Sequence, residues 1–231
     1  AFYRSLCADV DAYFSHNEDH VPPKSLTADL SLTGSSSSSH TVINGAQSAV
    51  QKLYYVEFKG GRLDVFYIPE GSGLNVKHGD LVIVDADRGK DLGKVTHENV
   101  SVEDARQLKI QQHQEQQAAL QQSSDPANST AKTENVNMVN ILQPKQIIRF
   151  AQPNEIQQLF VKRADEEKAM KICVSKVEER GMAMQVRDAE YQWDRRKLTF
   201  FYTASHRIDF RDLVRDLFRI YKTRIWMCAV N

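Results

Sequence analysis

Basic side chains in the last forty or so residues are the groups in this sequence best suited to hold a ligand. They fall into three groups: a basic turn, a pair that precedes a predicted helix, and two residues on one face of that helix (Arg195, Arg196 and Lys197; His206 and Arg207; Arg211 and Arg215). Guanidinium and ammonium groups bind phosphate oxygens, so convergence of the three groups would create a surface that follows a nucleic-acid backbone. These seven residues form the candidate nucleic-acid-binding set.

The helical arginines also have a purely structural interpretation. Asp212 lies three residues before Arg215. Asp216 lies three residues before Arg219, and opposite charges at this spacing form ion pairs along a helix surface. A solvated, salt-bridged face is the commoner meaning of such a pattern. The sequence leaves both interpretations open.

Signals for catalysis are weak. His206 lies near Asp209, and His78 lies near Asp80. A general base needs a positioned partner and a pocket, and these are lone pairs of common residues. Catalysis is therefore less favoured than a role in binding nucleic acid or protein, and we expect no catalytic residues.

Metal and cofactor sites are not expected either. Four charged residues cluster at one predicted turn (Asp85, Asp87, Arg88 and Asp91). Their spacing does not match a calcium loop, and the neighbouring glycines are not followed by the helix and Lys-Ser/Thr pair of a phosphate-binding loop, so a charged hairpin tip is favoured. Cys7, Cys173 and Cys228 have no closely spaced partner, which argues against a disulfide framework or a metal centre.

The helix that carries the last basic residues is the best marked element. Asp209 can accept hydrogen bonds from its first turn, and apolar residues follow at three- and four-residue spacing (Phe210, Leu213, Val214, Leu217, Phe218 and Tyr221). Arg219 and Lys222 extend the basic face, and a strand from Thr223 to Val230 follows directly. We expect the rest of the chain to be organised around this helix and strand.

Composition limits the possible functions. The 231 residues contain 30 basic and 30 acidic side chains, so binding to nucleic acid must come from a local patch. The sequence has no apolar run of about 18 residues and no secretory signal pattern. We expect a cytoplasmic protein that does not enter a membrane.

The sequence predicts four parts. Residues 1–19 contain a short amphipathic helix, and residues 20–50 form a flexible Ser/Thr/Pro linker. Residues 51–150 form a β-rich subdomain, expected as a small bent β-sheet or barrel, which opens with a hairpin around Gly60 and Gly61 and which a strand at 147–150 could close. A Gln-rich insert at 101–140 begins as a helix and continues as a linker, and it serves either as a dispensable expansion or in weak self-association.

Residues 151–231 predict an α-β-β-α-β subdomain with an antiparallel sheet. Its first part reads as two helices, one with a capping box of Asn154 and Gln157 and a second from Asp165 to Arg180. Two helices on one sheet face make the fold class α+β. Phe201 or Trp226 on the other face could stack on unpaired bases, although such residues are more often core.

Several ordered blocks give the sequence a family likeness. They include His78-Gly-Asp-Leu-Val-Ile-Val-Asp85, Leu198-Thr-Phe-Phe-Tyr-Thr-Ala204 and Arg207-Ile-Asp-Phe-Arg-Asp-Leu-Val-Arg-Asp-Leu217. From about residue 53 onward, the chain resembles the C-terminal conserved region of the fungal polymerase suppressor proteins and the bacterial RicT (YaaT) proteins. The bacterial relatives carry a Cys-rich segment associated with iron–sulfur binding after the last strand. None of those cysteines is present here, so no cluster is expected.

The resemblance implies a non-enzymatic, cytosolic regulatory module. Bacterial members belong to a small complex that influences RNA processing, some protozoan relatives belong to mRNA-binding complexes, and the fungal name reflects genetic suppression of DNA polymerase defects. The leading hypothesis is an adaptor in post-transcriptional control that binds RNA or RNA-processing proteins. The alternative is a purely protein-binding scaffold, including one linked to DNA polymerase function. The oligomeric state stays open.

Overall fold

The computed structural model of the chain describes residues 10–14, 52–121 and 142–230. It contains four α-helical segments and eight strands in these ranges: α1 (10–14), β1 (Leu53–Glu57), β2 (Leu63–Tyr67), β3 (Leu81–Asp85), β4 (Lys90–Val100), α2 (Val102–Gln121), β5 (Lys145–Phe150), α3 (Pro153–Glu179), β6 (Met184–Tyr191), β7 (Lys197–Ala204), α4 (Arg211–Tyr221) and β8 (Arg224–Ala229). The predicted α+β class is confirmed. The predicted linker at 20–50 and the second half of the Gln-rich insert lie outside the described residues.

The first five strands form a closed barrel in the order β1-β2-β5-β3-β4. The predicted β1–β2 hairpin is confirmed, and its turn is a short 3-10 segment in which Gly60 and Gly61 have φ angles of 66° and 73°. Glycine adopts these angles without the steric cost that a Cβ would add. Strand β5 pairs with β2 in parallel and with β3 antiparallel, so it closes the barrel as the sequence predicted.

The first half of the Gln-rich insert is a helix that packs on the barrel. Ala105 is fully buried there, and the Lys109 ammonium pairs with the Asp64 carboxylate on β2. The Gln112 side-chain amide donates to the Leu63 carbonyl at 2.7 Å. Helix α2 is therefore part of the packed structure.

The last three strands form a mixed sheet in the order β6-β7-β8. Strands β6 and β7 are antiparallel, but β8 runs parallel to β7, so the prediction of an antiparallel sheet was wrong on this point. The reason is that α4 crosses over between β7 and β8 and returns the chain to the same end of the sheet. Helices α3 and α4 share one core with the sheet, which includes Leu198, Phe200 and Leu217.

Helix α3 is one continuous helix of 27 residues, which corrects the prediction of two helices. Its capping box is formed by Gln152 and Glu155 rather than by Asn154 and Gln157. Lys162 and Glu166 lie on its buried face, where a helical pattern normally shows apolar residues. These two charges interrupt the apolar stripe in the sequence without interrupting the helix.

Membrane insertion of a helix finds no support in the three described ranges, because none of their helices has both the length and the apolar character to cross a bilayer.

Candidate nucleic-acid interface

Helix α4 presents two different faces along its length. Leu213 and Leu217 are buried against the sheet. The neighbouring face is formed by residues at three- and four-residue spacing, which include Arg215 and the half-exposed Phe218. One face therefore anchors the helix, and the other is available to line a surface cleft.

An open cleft of about 900 Å³ runs along this second face. Its walls come from α4, the start of β8, the β6–β7 turn and the β3–β4 turn. The lining residues are Arg88, Arg195, Arg196, Arg211, Val214, Arg215, Phe218, Lys222, Thr223, Arg224 and Ile225. Seven of these eleven described residues are basic, and none is acidic. We call this surface the basic cleft.

The β3–β4 turn of the barrel and the β6–β7 turn of the sheet dock on each other and hold the barrel side of the basic cleft in place. The backbone N–H of Lys90 donates to the Asp194 carboxylate at 2.9 Å, and the Gln192 side-chain amide donates to the Arg88 carbonyl at 2.7 Å. A Cβ at Gly89 would lie 1.9 Å from an Asp194 carboxylate oxygen, so the close approach requires glycine. This docking places Arg88 of the barrel beside Arg196 of the sheet.

Two cleft residues have a left-handed backbone, which is uncommon for side chains other than glycine. Arg195 has a φ of 64°, and Lys222, the C-cap of α4, has a φ of 52°. The Thr223 hydroxyl donates to the Arg195 carbonyl at 2.8 Å and so ties the two turns together. An L-residue in this conformation costs about 1–2 kcal/mol. Such strain often persists at functional sites, and here it holds two basic side chains in the cleft.

Four cleft arginines have a carboxylate neighbour: Arg195 with Asp165, Arg196 with Asp194, Arg211 with Asp209, and Arg215 with Asp212. The hydrogen bond from Arg211 lowers the pKa of Asp209 to about 2. The ion pair between Asp212 and Arg215 that the sequence indicated is therefore present. The Arg211–Asp209 and Arg215–Asp212 pairs are exposed. Exposed pairs contribute little to stability, so a phosphate can displace these two carboxylates at small cost.

The remaining three basic residues of the cleft are Arg88, Lys222 and Arg224. No carboxylate in the described part of the chain forms an ion pair with any of them. The Arg224 guanidinium instead lies over the Trp226 ring, 5.1 Å from its centroid. These three cations give the cleft its uncompensated positive charge.

The structure brings together four of the seven candidate residues, namely Arg195, Arg196, Arg211 and Arg215. It does not bring the other three into the cleft. Lys197 lies on the opposite face of β7 from the buried Leu198. The His206 ring contacts the Ser205 hydroxyl at 3.3 Å, and Arg207 is exposed in the segment before α4.

Sequence reasoning left seven lining residues out of the candidate set, among them the basic residues Arg88, Lys222 and Arg224 and the aromatic residue Phe218. Lys222 was visible as an extension of the helical basic row. Arg88 was interpreted only as part of a charged hairpin tip, because it reaches the cleft through the docking of two turns that are distant in sequence. For base stacking the sequence suggested Phe201 or Trp226, but neither lines the cleft, and Phe218 is the aromatic residue that does.

A second group of charged residues lies at the contact between the barrel, α3 and β6. We call it the junction cluster: Lys59, Arg62, Asp91, Lys162, Glu166, Asp188 and Glu190. The Lys162 ammonium lies 2.9 Å from the fully buried Glu166 carboxylate and donates to the Tyr13 hydroxyl of α1. Lys59 contacts Asp188 at 2.8 Å, so this cluster pairs charges from three segments.

Burial shifts the pKa values of two carboxyl groups in the junction cluster in opposite directions. Loss of hydration raises the pKa of Asp91 to about 6, and the nearby Lys162 charge offsets this only in part. Burial alone would also raise the pKa of Glu190, but the Arg62 and Lys162 charges outweigh it and hold that pKa below its ordinary value. Arg62 lies 3.0 Å from the Glu190 carboxylate.

The other residues considered for chemistry have structural surroundings. Asp87 at the hairpin tip pairs with Lys145 at 2.7 Å. The described residues contain no group of three or more His, Cys, Asp or Glu side chains arranged to hold a metal. Burial raises the pKa of the Cys173 thiol to about 12, which leaves it protonated and unreactive. The His78 ring contacts the Thr96 carbonyl at 2.6 Å.

Comparison with known families decides the identity of the region that contains the cleft. Residues 145–230 match the model of the PSP1 C-terminal conserved region. The chain carries a PSP1 C-terminal conserved region. This region spans β5 to β8 and includes ten of the eleven residues that line the basic cleft, all except Arg88.

Relatives of the PSP1 region occur in fungi and bacteria. The chain is 47% identical over 186 residues to an uncharacterised protein of Schizosaccharomyces pombe, which covers 78% of this chain and 23% of that protein. It is 31% identical over 226 residues to Protein PSP1 of Saccharomyces cerevisiae (77% and 27%) and 29% identical over 167 residues to stage 0 sporulation protein YaaT of Bacillus subtilis (72% and 48%). The chain thus spans between about a quarter and a half of these relatives. No solved structure matches it.

Proposed function

We propose that this chain is a non-enzymatic regulatory module that acts in the cytoplasm in post-transcriptional control and contacts RNA through the basic cleft. The observation that carries the proposal is the lining of the cleft, in which seven of eleven residues are basic and none is acidic. The relationship to a sporulation protein and to PSP1 supports a regulatory role in general terms.

The positions of the basic groups favour phosphate as the ligand. Arg211, Arg215 and Lys222 follow one face of α4 over its whole length, which is about 16 Å for eleven residues. Arg88, Arg195 and Arg196 come from the two docked turns. A row of cations along a helix opposite a second group of cations suits a linear polyanion better than a single small anion.

A salt series of RNA binding tests this proposal. Binding that rests on phosphate contacts weakens as salt rises, with a slope of about 0.7 per contact for a single strand. In the variant Arg88→Gln/Lys222→Gln/Arg224→Gln, we expect the slope to fall by about 2 and the affinity at about 0.1 M salt to fall roughly 10- to 100-fold.

A matched variant separates the cleft from total charge. Arg106→Gln/Arg163→Gln/Arg187→Gln removes the same number of charges from residues outside the cleft, and we expect it to bind RNA nearly as well as the wild type. Equal losses in both triple variants would mean that RNA responds to net charge alone, and the proposal would be wrong.

A protein-binding scaffold is the second candidate, and the four existing ion pairs of the cleft favour it. In this account the arginines of α4 are surface pairs, and a protein partner, including one linked to DNA polymerase function, binds elsewhere. It predicts RNA binding no stronger than that of a neutral control protein, together with a partner that is retained equally by both triple variants. Co-purification with each variant distinguishes the two candidates.

A further inference from the structure

We infer that the basic cleft takes single-stranded RNA, with one base stacked on the ring of Phe218. This inference rests on the proposed function and specifies the kind of RNA. The structure offers both parts that such binding needs, because the cleft combines cationic side chains for the phosphates with an exposed aromatic ring inside the same groove.

The apolar part of the cleft is the first argument. Phe218 is 50% exposed and lines the groove together with Val214 and Ile225. A surface that only follows phosphates needs no apolar floor between its cations. An exposed ring among arginines is, however, the usual platform on which proteins stack an unpaired base.

The position of Phe218 along α4 is the second argument. It lies three residues after Arg215 and four residues before Lys222, so all three side chains share one helix face. The Cα atoms of Arg215 and Lys222 are then about 4.5 Å and 6 Å from the Cα atom of Phe218 along the helix axis. Phosphates on both sides of a stacked base would each have a cation within reach.

A duplex fits this arrangement poorly. In double-stranded RNA the faces of the bases are covered by their neighbours, and proteins contact mainly sugars and phosphates across the minor groove. The Phe218 ring would then have no free base face on which to stack. The ring is useful to a ligand only when a base is free to leave its stack.

Phe150 provides a matched control for an exposed aromatic residue. It is 42% exposed, close to the value for Phe218, but it does not line the cleft. Replacing each aromatic residue by leucine keeps apolar bulk and removes the aromatic face. Any difference between the two variants then reports the position of the ring.

The experiment measures the binding of three probes to the whole chain: an oligouridylate, a fully paired RNA duplex of the same length, and inorganic polyphosphate as a polyanion without bases. We expect wild-type protein to prefer oligouridylate to the duplex. Phe218→Leu should weaken oligouridylate binding about 10-fold and leave both its salt slope and polyphosphate binding unchanged. Phe218→Tyr should bind like the wild type, and so should Phe150→Leu. Thermal melting of each variant confirms that it is folded.

The outcomes separate the inference from the proposed function. RNA binding that is lost in the cleft triple variant but unchanged in Phe218→Leu would overturn the stacking inference and leave the proposed function standing. A loss of polyphosphate binding in Phe218→Leu equal to its loss of oligouridylate binding would also overturn the inference. Failure of the wild type to bind any RNA would overturn both, and tight binding of polyphosphate alone would point to an acidic protein partner.

Discussion

The junction cluster and the basic cleft use the same kinds of side chain in opposite ways. In the junction cluster, Lys162 and Glu166 are almost completely withdrawn from water and lie 2.9 Å apart. In the cleft, Arg215 and its neighbour Asp212 keep 60% and 77% of their side-chain surface exposed at a similar distance of 3.0 Å. Distance alone therefore does not distinguish the two regions, but hydration does.

Hydration decides which charges a ligand can use. A buried ion that loses its partner stays dehydrated, so its pairing is a condition of folding. An exposed arginine exchanges a carboxylate for water or a phosphate with little change in free energy. The junction cluster accordingly holds the barrel to the sheet, whereas the cleft remains available for binding.

The largest expected effect comes from breaking a pair in the junction cluster. Glu166→Gln removes the buried carboxylate that pairs with Lys162 and Lys59. We expect the free energy of unfolding to fall by about 3–5 kcal/mol in urea denaturation. Asp212→Asn breaks an exposed pair of the cleft and should change it by less than about 1 kcal/mol. Similar losses in the two variants would remove the contrast between the regions.

The pH dependence of stability should also come from the junction cluster. Asp91 has a pKa of about 6 in the folded protein against 3.8 ordinarily. The folded state therefore holds this proton more tightly, and stability from this group falls as pH rises from about 4 to 6. The Asp91→Asn variant has a side chain there that cannot ionise and keeps an oxygen that can accept from the backbone N–H of Trp193. We expect it to be about 2 kcal/mol more stable than the wild type at pH 8 and nearly equal to it at pH 4.

Melting temperatures of the Asp91→Asn variant and the wild type across this pH range provide the measurement. A difference in stability that does not depend on pH would show that Asp91 has no raised pKa in the folded protein.

The basic turn allows a comparison between adjacent residues. Arg195 and Arg196 line the cleft, whereas Lys197 lies on the other side of β7. We expect Arg195→Gln/Arg196→Gln to weaken RNA binding about 10-fold at about 0.1 M salt, and Lys197→Gln to change it by less than about 2-fold. Filter binding or fluorescence anisotropy measures both. A larger loss for Lys197→Gln would place the RNA on the opposite face of the sheet.

The smallest expected effect separates stability from binding at one residue. Glycine adopts the left-handed backbone of Lys222 without strain, so Lys222→Gly should stabilise the fold by about 1 kcal/mol. The same change removes a cation without a carboxylate partner and should weaken RNA binding several-fold. Urea denaturation and RNA titration of the same sample test the expected gain in stability and the expected loss of RNA affinity. A stabilised variant with unchanged RNA binding would show that Lys222 does not contact the ligand.

Local patterns in the sequence predicted much of the fold. The Gly60-Gly61 turn predicted the first hairpin, and the residues around Leu213 and Leu217 predicted helix α4 before its strand. Helix α3 was divided in two because Lys162 and Glu166 occupy its buried face. Their compensation comes partly from Lys59, about a hundred residues away, so no local pattern could reveal it.

The candidate site was predictable to the extent that its residues lie on one element. Arg211 and Arg215 follow a helical period and were identified, but Arg88 reaches the cleft only because Gly89 lets the barrel turn dock on Asp194. Phe218 was assigned to the buried stripe, since period alone does not show where an apolar face stops. Its exposure follows from the position of α4 at the edge of the core.

Crosslinking of the protein to cellular RNA tests the central claim most directly. Wild-type protein, the cleft variant Arg88→Gln/Lys222→Gln/Arg224→Gln and the control variant Arg106→Gln/Arg163→Gln/Arg187→Gln would be irradiated in cells, and crosslinked peptides would be mapped. We predict strong crosslinking for the wild type and the control, with adducts on the peptide that contains Phe218, and little for the cleft variant. Equal crosslinking of all three proteins, or none for the wild type, would contradict the assignment of the basic cleft as an RNA-binding surface.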